Sequence, residues 1–332
     1  MKMIYFPELD EFFKENSRSE AWHLEHPGQL SKRYDSLQYE MINGEKVYLF
    51  DFTDDMVGND LLIFKESRFT ILPAHKHRYL ELNYVYSGSS KYTINGKKIT
   101  LNKGDIVLLE PDVIHGAEYK SEDDIVVNFA MKERYYRNVL TKYNDNRHLL
   151  FDFLFDSLLK NRERNNYIVF RKRDNPMIDM VMQTIFYLYF GVREENYGSI
   201  MEEYIRLMFL QLVNETYRSN DTEFSSKDDI VLATIMKEIQ DHYADCDLKK
   251  IAEQFGYNYN YFSNLIKKKT GYTFLELKRN RQLEEVKSLL ISTDKPVDMI
   301  AQECGFTNLS YFYKVFTKNN GITPSEYRKR NI

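Results

Sequence analysis

The chain has 332 residues, 43% of them hydrophobic, which is enough for two or three folded domains, and no run reaches the roughly 18 apolar residues of a membrane span. The first ten residues lack the apolar stretch of a secretion signal, and two distant cysteines, Cys246 and Cys304, argue against a disulfide framework or a zinc finger, so we expect a cytoplasmic protein. From Leu248 onward there are 15 Lys/Arg and 8 Asp/Glu, a charge of +7 within a total of −4, so only this basic end is expected to meet phosphate.

Residues 1–60 are interpreted as a leader packed on the domain that follows. Residues 61–131 then contain short β-branched and aromatic segments separated by turns, with Asn95-Gly96 as a type I′ hairpin turn. Many short strands at regular spacing predict a double-sheet barrel of the jelly-roll or cupin kind. The predicted strands are Leu61–Phe64, Arg68–Leu72, Leu80–Tyr86, Lys91–Ile94, Ile106–Leu109 and Ile125–Phe129.

Four ionisable residues of this segment have the spacing of the two cupin motifs. The pattern is His75-x-His77-x-x-x-Glu81, followed by His115 four residues after Pro111, and it resembles those motifs. Three imidazoles and a carboxylate would suit zinc, iron or manganese. The same set would also serve a metal-free pocket for a small molecule, or a metal-dependent cupin enzyme with oxygenase or isomerase activity.

Residues 132–220 show helical periodicity, with two stripes of apolar residues spaced by three or four positions. Two interpretations stay open, since these helices would either pack on the barrel or form a dimer interface. Residues 221–228 are polar, lack periodicity and are interpreted as a linker. The stripes are Ile178, Val181, Ile185 and Leu188, and Met201, Ile205, Met208 and Leu212.

Residues 229–332 contain one small unit twice, with a period near 50 residues. Leu248–Tyr257 matches Val297–Phe306, and Tyr261–Gly271 matches Tyr311–Gly321. Each copy reads as a short apolar-striped helix, a glycine turn at Gly256 or Gly305, and a second helix with one polar face, which is a helix-turn-helix.

Two further helices complete this region. The capping box Thr273–Glu276 opens a helix that runs to about Leu290 and separates the two copies by roughly 25 Å, and the capping box Thr323–Glu326 starts a short closing helix.

The segments Ile300–Phe306 and Tyr311–Arg328 resemble the signature of AraC/XylS-type bacterial transcription regulators. The resemblance covers residues from about Asp229 to Arg330 and implies that two recognition helices enter successive major-groove segments of double-stranded DNA. Arg is common in that family at the positions of Asn264 and Lys314, so the base sequence read here is expected to differ. The predicted DNA contacts are Asn260, Ser263, Asn264, Lys267, Lys268, Ser310, Tyr313, Lys314 and Lys318, with Arg279, Arg281 and Arg328–Arg330 as further candidates for phosphate.

The resemblance also implies the rest of the assignment. We expect a regulator and not an enzyme, with no required cofactor, that works as a transcription activator, forms a homodimer through residues 132–220, contacts RNA polymerase and responds to a small-molecule effector, with a carbohydrate as the candidate. Four histidine and glutamate side chains with three tyrosines form the predicted effector site, and the first four are the residues that would hold a metal. The effector-site residues are His75, His77, Tyr79, Glu81, Tyr84, Tyr86 and His115.

Overall fold

The computed structural model describes residues 8–51, 60–141, 167–172, 176–191, 197–218, 223–224, 227–254 and 258–331. These residues form two compact units, one ending at Phe224 and the other beginning at Lys227. We call the first the sheet unit and the second the helical unit. Within the described ranges, no helix has the length and apolarity needed to cross a membrane.

The sheet unit is built on two six-stranded sheets. Its described strands are β1 Tyr39–Ile42, β2 Glu45–Phe50, β3 Leu61–Lys65, β4 Leu72–His77, β5 Leu80–Ser87, β6 Ser89–Ile94, β7 Lys97–Asn102, β8 Ile106–Leu109, β9 His115–Ala117, β10 Ile125–Met131, β11 Tyr167–Phe170 and β12 Glu223–Phe224. The first sheet has the order β1-β2-β4-β9-β6-β7, and the second has the order β12-β11-β8-β5-β10-β3. Only the pairing of β2 with β4 is parallel among the described strands.

Inner-face side chains of both sheets share one apolar core, in which Tyr92 and Ile94 of β6 pack with Val107 and Leu109 of β8 and with Val126 of β10. The sheets are therefore two stacked layers, which confirms the predicted double-sheet fold, although they do not close into a barrel. Closure needs hydrogen bonds all the way round, and in the described residues each sheet ends at its own edge strands.

Most predicted strands are present, and the hairpin turn at Asn95-Gly96 joins β6 to β7. Both turn residues have positive φ angles, 49° and 77°, as a type I′ turn requires. The strand predicted to begin at Arg68 begins instead at Leu72. The prediction is wrong at residues 68–71, because Phe69 has a positive φ of 62°, which a β-strand does not adopt.

Two N-terminal helices, α1 Leu9–Lys14 and α2 Arg18–Glu25, are fastened to the sheet unit by a buried ion network. Glu20 Oε1 accepts from Arg68 Nε, and Glu20 Oε2 from Lys65 Nζ, both at 2.7 Å. Although burial alone raises the pKa of Glu20, the hydrogen bonds from Arg68 and Lys65 lower it to about 2. The Glu20 carboxylate is therefore charged and holds this segment in place at neutral pH.

Three described helices follow β10 in the sheet unit: α3 Glu133–Thr141, α4 Pro176–Phe186, which continues as a π-helical turn Tyr187–Gly191, and α5 Tyr197–Arg218. The two apolar stripes are largely buried inside the single chain, since Ile185 and Ile205 are both 0% exposed. Of the two interpretations left open, these side chains therefore follow the one in which the helices pack within their own unit. Strand β11 lies in the same segment and was missed by the helical interpretation.

The helical unit contains two helix-turn-helix pairs separated by one longer helix, as the repeat predicts. Its described helices are α6 Lys227–Asp241, α7 Leu248–Gln254, α8 Tyr259–Thr270, α9 Phe274–Ser292, α10 Val297–Glu303, α11 Leu309–Asn320 and α12 Pro324–Asn331. Helices α7 and α8 form the first pair, and α10 and α11 the second. The first turn, with the predicted Gly256, lies outside the described residues.

Local chemistry explains the helix ends of this unit. Thr273 accepts a hydrogen bond from the Glu276 backbone while the Glu276 carboxylate accepts from the Thr273 backbone, which is the predicted capping box at the start of α9. Gly305, in the second turn, has a φ of 86°, and a Cβ there would lie 2.3 Å from the Ala244 carbonyl oxygen. The tight turn after α10 therefore requires glycine.

Candidate functional site

The predicted histidines and glutamate of the sheet unit meet in its interior. His75 and His77 lie on β4, Glu81 is the second residue of β5 and His115 begins β9. His75 and His115 are directly paired between β4 and β9, with ring centroids 4.0 Å apart. None of the four residues is more than 2% exposed. The sequence spacing that resembled the cupin motifs thus corresponds to one buried cluster.

Each histidine of the cluster is oriented by a backbone carbonyl. A carbonyl oxygen only accepts, so Nδ1 of each ring carries the hydrogen, and in the neutral ring Nε2 presents its lone pair. This arrangement is the one found in metal-ligating histidines. The three contacts are His75 Nδ1 to Pro73 O (2.9 Å), His77 Nδ1 to Tyr79 O (2.9 Å) and His115 Nδ1 to Val113 O (3.0 Å).

The Nε2 atoms of His77 and His115 converge on the Glu81 carboxylate, at 3.2 Å and 3.5 Å. One ligand atom from each residue lies within 4.8 Å of the others, which is a suitable spacing for a single divalent ion. His75 stands outside this group of three. The donors are two imidazole nitrogens and a carboxylate, so they fit zinc, iron or manganese chemically.

Burial sets the charge of the cluster. It lowers the pKa of His77 to about 4 and that of His75 well below its ordinary value, so both rings are neutral at pH 7. Burial alone raises the pKa of Glu81, but the neighbouring His77 and His115 lower it to about 2. The cluster therefore offers the negative charge of Glu81 beside the neutral imidazoles of His75 and His77.

A cavity of about 520 Å³ opens beside the cluster, with His75 and Glu81 in its wall. Its aromatic surfaces come from Tyr34, Phe50 and Phe64, which precede the predicted barrel or begin it. Phe50 stacks on the His75 ring with centroids 4.1 Å apart. These aromatic walls were not among the predicted site residues.

Two asparagines form a polar patch on the inner face of the second sheet, opposite each other on β5 and β10. Asn83 is 0% exposed, and neither its Oδ1 nor its Nδ2 has a hydrogen-bond partner among the described residues. Asn128 lines the cavity, and its Oδ1 also lacks a described partner. Leaving such a group buried and unpaired costs about 1 to 3 kcal/mol. A detectable signal was present in the sequence, because each asparagine interrupts a run of apolar strand residues.

The predicted tyrosines separate into two groups. Tyr79 stacks on His77, with centroids 4.2 Å apart and an interplanar angle of 7°. Tyr84 and Tyr86 project from the other face of β5, where their hydroxyls donate to Asp179 and Asp10. Successive side chains of a strand alternate between faces, so Tyr84 and Tyr86 could have been assigned opposite to Glu81 from numbering alone. The structure does not bring these two residues to the cavity.

In the helical unit, helices α8 and α11 each bury one face and expose the other. Phe262, Ile266, Phe312 and Phe316 are 0% exposed. Every predicted DNA contact lies on the opposite, solvent-facing side, and only Ser263 and Tyr313 are half-buried. Tyr313 donates to Asp298 of α10 at 2.9 Å, a hydrogen bond that links α11 to α10.

Comparison with known proteins gives two family matches. Residues 63–129 match the AraC-like ligand binding domain, and residues 251–330 match a helix-turn-helix domain. The chain is 24% identical over 262 residues to the HTH-type transcriptional activator RhaS of Mannheimia succiniciproducens, covering 78% of this chain and 90% of that protein. It is 25% identical over 260 residues to RhaS of Enterobacter sp., covering 77% and 87%.

Solved structures are also similar to parts of the chain. The C-terminal domain of AraT, a response regulator from Geobacillus stearothermophilus, is 30% identical with a TM-score of 0.30, covering 32% of this chain and 88% of that one. A structure of ToxT from Vibrio cholerae is 17% identical with a TM-score of 0.33, covering 81% and 97%.

Proposed function

The chain belongs to the AraC-type transcription regulators, because it joins an AraC-like ligand-binding domain to an AraC-type helix-turn-helix domain, and we propose that a small polyhydroxylated effector in the sheet unit controls its activity. It is homologous to RhaS transcriptional activators and is a DNA-binding regulator, not an enzyme. The alternative of a metal-dependent cupin enzyme has no support from these relatives.

The buried, unpaired amides beside the cavity carry this proposal. Asn128 lines the cavity and its Oδ1 offers an acceptor, while Asn83, paired with Asn128 across the strands, adds a buried amide behind it. The aromatic walls Tyr34, Phe50 and Phe64 offer flat apolar surfaces. A sugar or sugar acid presents hydroxyls to the first and C–H faces to the second. Filling the cavity with such a ligand would satisfy polar atoms that otherwise stay unpaired.

Calorimetry with a panel of sugars, sugar acids and other metabolites tests this effector class. We expect one member to bind the wild-type chain and to lose about 1 to 3 kcal/mol of binding free energy with Asn128→Leu, which removes the amide at nearly constant volume. Tyr86→Phe is the matched control, since Tyr86 lies on the opposite face of β5 and should bind as wild type does. Tight binding that Asn128→Leu leaves unchanged would place the effector elsewhere.

A divalent metal at His77, Glu81 and His115 is a second proposal, supported by the converging Nε2 atoms and the carbonyl-oriented rings. Such an ion would act as a Lewis acid toward oxygen atoms of the effector. Elemental analysis of protein purified without chelators decides it: about one equivalent of zinc, iron or manganese is expected in the wild type and none in His115→Gln. A metal-free wild type that still binds the effector would leave the cluster as a hydrogen-bonding site.

We further propose that α8 and α11 read DNA through the nine predicted residues, and that the protein acts in the cytoplasm as a homodimer that contacts RNA polymerase.

Because the stripes of α4 and α5 are buried, the dimer surface proposed here is the outer face of α4, where Met177 and Met180 are 45% and 60% exposed. Sedimentation of wild type against Met180→Glu tests it. A dimer that persists at micromolar concentration in that variant would move the interface away from α4.

A further inference from the structure

Several basic side chains of the helical unit are bound to groups of the same unit. Arg281, for example, forms an ion pair with Glu285 and lies over the Tyr243 ring, 4.6 Å from the ring centroid. These paired cations stabilise the fold. They include Arg281 and Arg328, which the sequence had suggested as phosphate contacts. The pairs are Arg281–Glu285 (2.9 Å), Lys287–Glu284 (2.8 Å), Lys295–Glu303 (2.8 Å), and Arg328 with the carbonyl oxygens of Leu290 (3.0 Å) and Lys295 (2.6 Å).

Three other cations gather around one groove. Arg279 of α9 and Lys314 and Lys318 of α11 line a groove of about 390 Å³. Among the described residues, no carboxylate forms an ion pair with any of the three. The groove also contains Glu276, but its Oε2 accepts from the Thr273 backbone and hydroxyl at 2.8 Å, as part of the α9 cap. The groove therefore holds three cations and one carboxylate, and that carboxylate is already hydrogen-bonded in the helix cap. Its net charge is positive.

A hydrogen bond holds the Arg279 guanidinium over this groove. Its Nη1 donates to the Tyr311 hydroxyl at 2.7 Å, and Tyr311 stands in the first turn of α11. A guanidinium has five N–H donors in a planar fork, so four remain after this bond, and its orientation is already fixed. The contact therefore joins the strut helix α9 to the second recognition helix and presents donors between them.

We propose that this groove binds a backbone phosphate of DNA, and that Arg279 is its principal contact. The proposal rests on the proposed DNA binding and extends it from the recognition helices to the helix that separates them. A phosphodiester suits the groove because Arg binds two phosphate oxygens through its fork while Lys314 and Lys318 add charge.

Salt-dependent binding of the full chain tests the contact. The probes are a duplex selected by the wild-type chain from a random library and an unselected duplex, each titrated from 50 to 200 mM salt. Arg279→Ala is expected to weaken binding to both duplexes by about tenfold and to reduce the salt slope by about 0.9. Lys287→Ala removes an equal charge from the same helix and should leave the slope unchanged. Thermal melts of both variants check that the fold is kept.

A methylphosphonate scan of the selected duplex supplies the second measurement. Neutralising one particular phosphate should weaken wild-type binding and have no effect on Arg279→Ala, and Tyr311→Phe should lose part of the same effect. Unchanged salt slope and an unchanged scan in Arg279→Ala, with sequence-specific binding intact, would overturn the inference and leave the proposed function standing. Absence of any sequence preference in the wild type would instead contradict the proposed function.

Two further outcomes would also overturn it. If calorimetry showed that inorganic phosphate binds the groove as tightly as DNA does, the ligand of the groove would be a free anion and not a DNA phosphate. If Arg279→Ala bound DNA as tightly as the wild type but no longer activated transcription in vitro, the groove would instead contact an acidic surface of RNA polymerase.

Discussion

The sheet unit places its polar groups inside, whereas the helical unit places them outside. Among the described residues, the only buried polar side chains of the helical unit are Thr270 and Gln282. The sheet unit instead buries a histidine cluster and two asparagines beside a cavity. A polar interior is stable only when its groups are satisfied, so the difference indicates that the sheet unit completes its interior with a small ligand. The interior of the helical unit is largely apolar and needs no ligand, and its exposed charged side chains are the ones proposed to contact DNA.

The strongest test of the apolar interior is Phe312→Ala. Phe312 is 0% exposed at the centre of the second helix-turn-helix, so the helical unit should lose about 3 to 5 kcal/mol of unfolding free energy. The sheet unit should be unaffected. Trp22, the single tryptophan, reports on the sheet unit by fluorescence, and far-ultraviolet circular dichroism follows the helices. Ser310→Ala, on the exposed face, serves as the control; a shifted tryptophan transition in Phe312→Ala would show that the units unfold together.

Acidification should act on the sheet unit through its buried histidines. Burial lowers the pKa of His77 to about 4 and that of His75 well below its ordinary value, while the unfolded rings titrate near 6.5. The unfolded chain therefore binds more protons, and stability present above about pH 6.5 is lost as the pH falls toward 4, by about 1 to 3 kcal/mol. Denaturation monitored by Trp22 should show this slope, and His77→Gln should flatten it. A slope that His77→Gln leaves unchanged would contradict the assignment.

Base readout on the outer surface is tested by Lys314→Ala and Asn264→Ala. Each should lower affinity for the selected duplex by about 1 to 3 kcal/mol and relax preference at one or two base pairs. Lys267→Ala should weaken all sequences alike, as loss of a phosphate contact does. Selection of binding sites from a random library with each variant measures the change, and an unaltered preference in Lys314→Ala would move the readout away from α11.

The smallest expected effect is a gain of stability. Asn83→Leu replaces a buried, unpaired amide by an isosteric apolar side chain, so the effector-free sheet unit should become more stable by about 1 kcal/mol. The effector should then raise the melting temperature by less than it does in the wild type. A loss of stability in this variant would show that Asn83 already has a partner and would remove it from the proposed site.

The two regions also differed in how far the sequence predicted them. In the helical unit, function follows from local patterns, because a periodic stripe buries one helix face and thereby exposes Asn264 and Lys314 on the other. In the sheet unit, the His75 to His115 spacing predicted the cluster, but the cavity walls did not follow from any local pattern. Tyr34 and Phe50 precede the predicted barrel in the chain and reach the cavity only through tertiary packing. Strand β11 also depends on long-range pairing, here with β8.

The measurement closest to the central claim is the effect of the bound metabolite on DNA affinity. An interior ligand controls the outer surface only if it binds one DNA-binding arrangement more tightly than another. Fluorescence anisotropy with the selected duplex should therefore show an affinity change of about 5- to 150-fold on adding the effector to the wild-type chain. At an effector concentration near the wild-type dissociation constant, the change should be much smaller in Asn128→Leu, whose effector-free DNA affinity should match the wild type. An equal shift in both proteins, or none in the wild type despite tight effector binding, would contradict the account.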